Sequence, residues 1–161
     1  MRPLLGDQHD RAAFSCGVET LDRYFRAQAG QDSRKRVATC FVVVGQDGSV
    51  AGYYALSATS VLLVDPPSEV AKKLPRYPAI PATLLGRLAV DRRQHGRGLG
   101  ELLLFDAFSR TLRSEIASFA FVVDAKDEAA QAFYEHYGFR PLPSAGRRLF
   151  LPLAEIAASF A

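Results

Sequence analysis

The sequence predicts a domain of the α/β (α+β) class, in which a mixed central β-sheet is covered by helices on both faces. Three observations predict it. Stretches rich in β-formers alternate with stretches of helical periodicity along the chain. The continuous apolar run Phe119 to Asp124 has the pattern of a buried strand. Ala82 to Arg113 passes from a strand through a basic, glycine-rich loop straight into an amphipathic helix. With 161 residues, 48% of them apolar, residues 1–161 are expected to form a single domain. Such a chain removes roughly two-thirds of its unfolded surface from water. A mean hydropathy near zero excludes a disordered chain, and no apolar run approaches the ~18 residues of a membrane span. The opening MRPLLGDQHD lacks the apolar core of a signal peptide, so the cytoplasm is the expected compartment. Cys16 and Cys40 are expected as buried, reduced thiols.

Val18, Leu21, Phe25 and Ala29 recur at helical spacing and predict a first helix from Val18 to about Gly30. Two β-rich runs, Ala38 to Val44 and Val50 to Ala58, are joined by Gln46-Asp47-Gly48-Ser49 and predict a hairpin. Five prolines between Val64 and Pro81, around a short helix Ser68 to Leu74, predict a loop or lid over a sheet edge. Ala82 to Val90 is the next strand and Gly98 to about Arg113 its helix, with Leu99, Leu102, Phe105 and Leu112 as the inward stripe. After the strand at Phe119, Asp127 to Tyr137 reads as a helix stopped by Gly138. Phe139 to Pro141 and Arg147 to Leu151 close the chain as a hairpin or edge strand.

The chemistry concentrates between Arg92 and Glu101. Gly96, Gly98 and Gly100 are expected to turn with positive φ and let a ligand approach the backbone. The first amides of the following helix lack intrahelical partners, and they point at an anion aided by the helix dipole and by Arg92, Arg93 and Arg97. That is a diphosphate cradle. A dinucleotide fingerprint is excluded, because the sixth positions counted from Gly96 and Gly98 are Glu101 and Leu103; no Gly-Lys-Ser/Thr exists for a Walker loop.

The net charge is +3 with a pI near 9.0, and basic residues cluster at Arg34-Lys35-Arg36, Lys72-Lys73 with Arg76, Arg92-Arg93 with Arg97, and Arg147-Arg148. One small anionic ligand needs about one such cluster, so the surplus points to a polyanion such as RNA. A solvated basic surface is the alternative. Arg87 and Asp91 flank Leu88 to Val90 either as substrate contacts or as polar partners of an alternating strand.

Arg93-x-x-Gly96-x-Gly98 resembles the [Q/R]-x-x-G-x-[G/A] pyrophosphate loop of the GNAT superfamily of N-acetyltransferases. The frame His95-x-x-Gly98-x-Gly100 places a histidine where that family has Gln or Arg. Ala132-Phe133-Tyr134-Glu135-His136-Tyr137-Gly138-Phe139 is similar to the family's A-x-x-F-Y-x-x-x-G-F signature. The resemblance implies a GNAT fold with a splayed parallel strand pair, acetyl-coenzyme A as co-substrate and no metal. It also implies that Leu88, Ala89 and Val90 pair with the pantetheine arm, and that Arg93, His95, Gly96, Arg97, Gly98, Leu99, Gly100 and Glu101 hold the pyrophosphate. Tyr134 is then the general acid, chemically apt because a phenol stays protonated near neutral pH and can donate to a departing thiolate. The candidate bases Glu101, Glu135, Asp127 and His95 form no persuasive set, which hints at an acceptor amine of low basicity.

Phe14-Ser15-Cys16-Gly17 through Tyr24-Phe25, Gly52-Tyr53-Tyr54-Ala55-Leu56-Ser57, the proline-rich insertion, LLGRLAVD and Leu149-Phe150-Leu151-Pro152-Leu153 extend the resemblance to the GNAT toxins of bacterial toxin–antitoxin modules. It implies acetylation of the α-amine of aminoacyl-tRNA and so inhibition of translation. A small DNA-binding antitoxin of ribbon-helix-helix type and a homodimer are also implied. Arg34, Lys35, Arg36, Arg87 and Arg92 are the expected tRNA contacts. Two other functions compete: an N-acetyltransferase of a small amine or protein N-terminus, and a non-catalytic partner-binding module with a vestigial coenzyme A cleft.

Overall fold

In the computed structural model, which describes residues 2–3, 10–62, 66–142 and 146–159, strands and helices alternate as the periodicities require. The chain runs through strand β1 (Arg2–Pro3), helix α1 (Glu19–Arg23), a π-helical turn (Tyr24–Gln28) and helix α2 (Ala29–Arg34) into strands β2 (Thr39–Val44) and β3 (Val50–Leu62). Helix α3 (Ser68–Ala71), strand β4 (Ala79–Val90), a 3₁₀ turn (Arg92–Gln94) and helix α4 (Leu99–Leu112) follow. Strand β5 (Ala120–Asp124), helix α5 (Glu128–His136), strands β6 (Arg140–Pro141) and β7 (Arg148–Pro152) and helix α6 (Leu153–Ser159) complete it. The described strands form one mixed sheet in the order β1-β2-β3-β4-β5-β7-β6 with one parallel pair. The chain divides into two compact units, Met1–Ser57 with Leu85–Arg110, and Ala58–Leu84 with Thr111–Ala161.

In the first unit the β2–β3 hairpin pairs Phe41 with Tyr54 and Val42 with Tyr53. Consecutive strand residues face opposite sides, so the two tyrosines point to different helices. Tyr53 stacks on Phe25 at 4.5 Å and donates from its hydroxyl to the Leu21 carbonyl of α1 at 2.7 Å. Tyr54 donates to the Asp106 carboxylate of α4. Helices therefore cover both faces. The hairpin loop is closed by Asp47, whose Oδ1 accepts from the Ser49 amide at 2.9 Å and hydroxyl at 2.6 Å, while Gly48 takes φ +83°.

Two expectations are corrected in this unit. The first helix does not stop near Gly30 but continues through α2 to Arg34. Gly30 is buried rather than terminal, and a Cβ there would come within 2.9 Å of the Arg11 guanidinium. The stop is Arg36 at φ +59°, with Val37 N–H donating to the Asp32 carbonyl at 2.9 Å and Arg36 N–H to that of Ser33 at 3.3 Å, a Schellman closure with arginine in the usual glycine position. The inward stripe of α4 is Leu103, Leu104, Ala107 and Phe108, not the expected one, since Leu102 is 51% exposed and Leu112 is also exposed. An unbroken Leu-Leu-Leu-Phe run satisfies two helical stripes about 100° apart, and packing selects one.

In the second unit β5 lies antiparallel to β7, pairing Phe121 with Leu151 and Val122 with Phe150. Arg148 closes this pair by donating twice to Asp124, at 2.8 and 2.9 Å. Val61, Ala82, Ala120, Val122, Leu142 and Phe150 make the core. Helix α6 lies beyond the elements expected from the sequence; it buries Leu153 and Ile156. Of the proline-rich segment, Val64 and Asp65 lie outside the described residues, and its helix spans only Ser68–Ala71. Among the described residues no helix is long and apolar enough to cross a membrane. Cys16 and Cys40 are both buried thiols, as expected, and burial pushes the Cys40 thiol up to about 12.

Candidate active site

The glycine-rich loop is held from three sides before its glycines begin. The Asp91 amide donates to the Ala51 carbonyl of β3 at 2.9 Å. The Asp91 side chain, 2% exposed, accepts from Arg93 N–H and Nε at 2.9 Å each and from the Ser15 amide at 3.2 Å. Burial pushes this carboxyl up, but the hydrogen bonds from Arg93 and Ser15 outweigh it and hold the group below the usual carboxylate range. The third tie is His95, whose Nε2, as the protonated nitrogen, donates to the Val90 carbonyl at 2.8 Å. His95 thus closes the loop on its own strand, a role that the spacing did not reveal.

Beyond these ties the backbone is open. Gly96 and Gly98 have φ of +80° and +74°, and a Cβ built on either meets nothing within 4 Å. Gly100 departs from expectation: it does not have positive φ but lies in the first turn of α4. The first α-helical bond runs from the Leu102 amide to the Gly98 carbonyl at 3.1 Å, so the Leu99 and Gly100 amides head the helix without intrahelical acceptors. Glu101 is exposed in the same turn. Positive φ, open space and forward-pointing amides together fit a diphosphate.

Leu88, Ala89 and Val90 form the end of β4, with Ala89 buried and its neighbours half-buried. Of their polar groups, the Val90 carbonyl is engaged by His95. Arg92 donates from Nη2 to Ser15 Oγ at 2.9 Å, and Arg97 is exposed beside Gln94. Arg87 lies with its guanidinium 3.7 Å from the centroid of the Tyr24 ring, and Tyr24 donates to Asp32 Oδ2 at 2.9 Å. Arg34, Lys35 and Arg36 are exposed where α2 ends. Sequence reasoning singled out neither Asp32 nor the role of Ser15; the only signal was that Ser15 and Tyr24 fall in the N-terminal motif.

Tyr134 is positioned by the end of its own helix. Asp127 opens α5, accepting from the Ala130 amide at 2.8 Å. Gly138, at φ +97°, ends it: Gly138 N–H donates to the Glu135 carbonyl at 3.0 Å and Phe139 N–H to the Tyr134 carbonyl at 3.2 Å. This Schellman closure sets the Phe139 ring edge-on to Tyr134 at 5.4 Å, with Phe133 on another side at 5.2 Å. Tyr134 is 8% exposed, and burial raises its phenol well above the ordinary value. It is a protonated acid at neutral pH. Two of the carboxylates that could serve as bases are otherwise engaged: Asp127 caps the helix and Glu135 accepts from Gln131 at 2.8 Å.

Comparison with known proteins decides the family. Residues 77–151 match the acetyltransferase (GNAT) domain. The tRNA-acetylating toxin of Mycobacterium tuberculosis (strain ATCC 25618 / H37Rv) is 38% identical over 156 residues, 96% of this chain and 92% of that protein. The chain belongs to the GNAT acetyltransferase family. Among solved structures, AtaT complexed with acetyl-methionyl-tRNAfMet superposes with a TM-score of 0.88 at 29% identity, covering 99% of this GNAT chain and 98% of AtaT. A mutant AtaT toxin bound to the C-terminus of the antitoxin AtaR and acetyl-CoA superposes with a TM-score of 0.81 at 26% identity, covering 99% and 96%. This GNAT chain is an N-acetyltransferase with acetyl-CoA as donor.

Proposed function

We propose that this enzyme is a toxin that acetylates the α-amine of aminoacyl-tRNA, with the whole chain as one catalytic domain. The observation that carries the catalytic half is the open, preset turn at Gly96 and Gly98 ahead of α4. Support for the acceptor comes from the tRNA-acetylating relative, matched along 96% of the chain, and from the exposed Arg34, Lys35, Arg36 and Arg92. The toxins with bound tRNA and antitoxin support the same substrate class and an antitoxin partner; action in the cytoplasm, where charged tRNA is used, belongs to the same reading.

In this reading the Leu99 and Gly100 amides, the Gly96 and Gly98 backbone and Arg97 receive the diphosphate, and the β4 end at Leu88 and Ala89 receives the pantetheine arm. Acetyl-CoA supplies the acetyl group as a thioester. The neutral amine forms the new C–N bond as the C–S bond breaks, the Tyr134 hydroxyl gives its proton to the leaving sulfur, and the proton shed by the acylated nitrogen restores the Tyr134 phenol. No dedicated base is required, because an α-amine with a pKa of about 8 is partly neutral at physiological pH.

The test is transfer from labelled acetyl-CoA to bulk charged tRNA, with and without ribonuclease pretreatment. Label in RNA-linked amino acids, abolished by ribonuclease, is expected. Transfer indifferent to tRNA would instead favour a small amine or protein N-terminus, and binding of coenzyme A without any transfer a non-catalytic module.

A further inference from the structure

We propose that Asp91 is a positioning residue that presets the diphosphate loop, and that Ser15 is the strap fastening this loop to the N-terminal segment. The proposal rests on the reading of the loop as the acetyl-CoA site. Its basis is a set of bonds that neither the loop motif nor the general acid requires. Asp91 Oδ1 accepts from both the amide and Nε of Arg93, and Oδ2 accepts from the Ser15 amide. Arg92 N–H donates to the Ser15 carbonyl at 2.8 Å, and its Nη2 to Ser15 Oγ at 2.9 Å. Each of the three polar groups of Ser15 therefore engages Asp91 or Arg92. Behind them a second buried acid, Asp22 of α1, accepts from the Cys16 amide at 2.9 Å and from Ser15 Oγ at 3.4 Å.

The consequence is energetic. A loop with glycines at two positive-φ positions would otherwise sample many conformations, and a ligand would have to order it. Fixing residues 91 to 93 on β3 and on Ser15 leaves only the short Gln94–Gly98 stretch to organise, and His95 ties that stretch back to Val90. The network therefore acts on cofactor affinity. It touches no reacting atom, so the chemical step is left alone. Arg93, which matches the first position of the loop motif, spends its Nε on Asp91, so its fixed contribution is to hold the loop.

The test uses Asp91→Asn, which keeps the size but cannot accept from both Ser15 and Arg93, together with Ser15→Ala and Ser15→Thr. Calorimetric acetyl-CoA affinity, KM and kcat are measured for each, with hydrogen exchange at residues 93 to 99 in the free protein. Loss of a buried charge-assisted bond predicts a roughly tenfold or greater rise in Kd and KM for Asp91→Asn. Faster loop exchange should accompany it, with kcat at saturating acetyl-CoA nearly unchanged. Ser15→Ala should show a smaller rise that Ser15→Thr restores. Unchanged affinity and exchange in both Asp91→Asn and Ser15→Ala, or a fall confined to kcat, would overturn the proposal. Failure of the wild-type protein to bind acetyl-CoA would overturn the underlying reading instead. If Asp91→Asn does not fold, the Ser15 pair decides, since Ala and Thr differ there by one hydroxyl.

Discussion

At the scale of single residues, the proposed acid and the groups that hold the cofactor loop titrate differently. Tyr134 is raised by burial alone, so it stays an acid throughout the neutral range and should not titrate in the rate profile there. The acid limb of kcat/KM is then expected to follow the acceptor amine, with the rate rising as that amine loses its proton. Tyr134→Phe keeps the ring in its edge contacts with Phe133 and Phe139 and removes only the hydroxyl. Circular dichroism should be unchanged while kcat falls by about 10²- to 10⁴-fold, the range of general acid catalysis. A wild-type rate in this variant would remove Tyr134 from the mechanism. Asp91 titrates in the opposite sense: its folded pKa is lowered, so its stabilising effect is present above the ordinary carboxylate value. That effect is lost as pH falls through the depressed one, below about pH 3.9. Acid unfolding of Asp91→Asn should accordingly be less steep in that window.

At the scale of elements, α5, which carries Tyr134, and α2, which carries the basic tip, end by the same device, one legible in the sequence and one not. Gly138 announces the end of α5, because glycine tolerates its φ of +97°. At the end of α2 an arginine occupies the same conformation at φ +59°, and no residue type marks it; the sequence points instead to Gly30, a glycine kept small by Arg11. The strands of the hairpin, β5 and the cradle are legible because their patterns admit one solution. The stripe of α4 is not, because a run of leucines leaves the choice to packing against the sheet. Left-handed backbone costs a side chain about 1–2 kcal/mol, partly cancelled by the entropy glycine adds to the unfolded chain. Arg36→Gly should therefore raise Tm by a few degrees. Were Arg36 a tRNA contact as well, the same variant would be more stable yet weaker in KM for charged tRNA. A variant equal to wild type in both measurements would contradict both statements.

At the scale of the whole molecule the question is whether the basic residues act together on one polyanion or merely keep the surface solvated. Composition alone could not decide it, since a net charge of +3 fits either. The folded chain divides its basic residues into two classes. Arg93, Arg110 and Arg148 are committed to Asp91, Asp106 and Asp124, whereas Arg34, Lys35 and Arg36 are exposed at a helix end with a side-chain entropy that only a bound partner would offset. Each phosphate contact that releases counterions contributes about 0.7 to 0.9 to the slope of log affinity against log salt. If the tip of α2 meets tRNA, replacing Arg34 and Lys35 by Gln should flatten the salt dependence of KM for charged tRNA by roughly one to two units of that slope. Affinity for acetyl-CoA should be unaffected. Committed arginines give the control, since Arg148→Gln should lower stability through Asp124 and leave the salt slope intact. Equal slopes for wild type and the Arg34, Lys35 double variant would assign the α2 tip to solvation and move the search for the tRNA surface to Arg87 and Arg92.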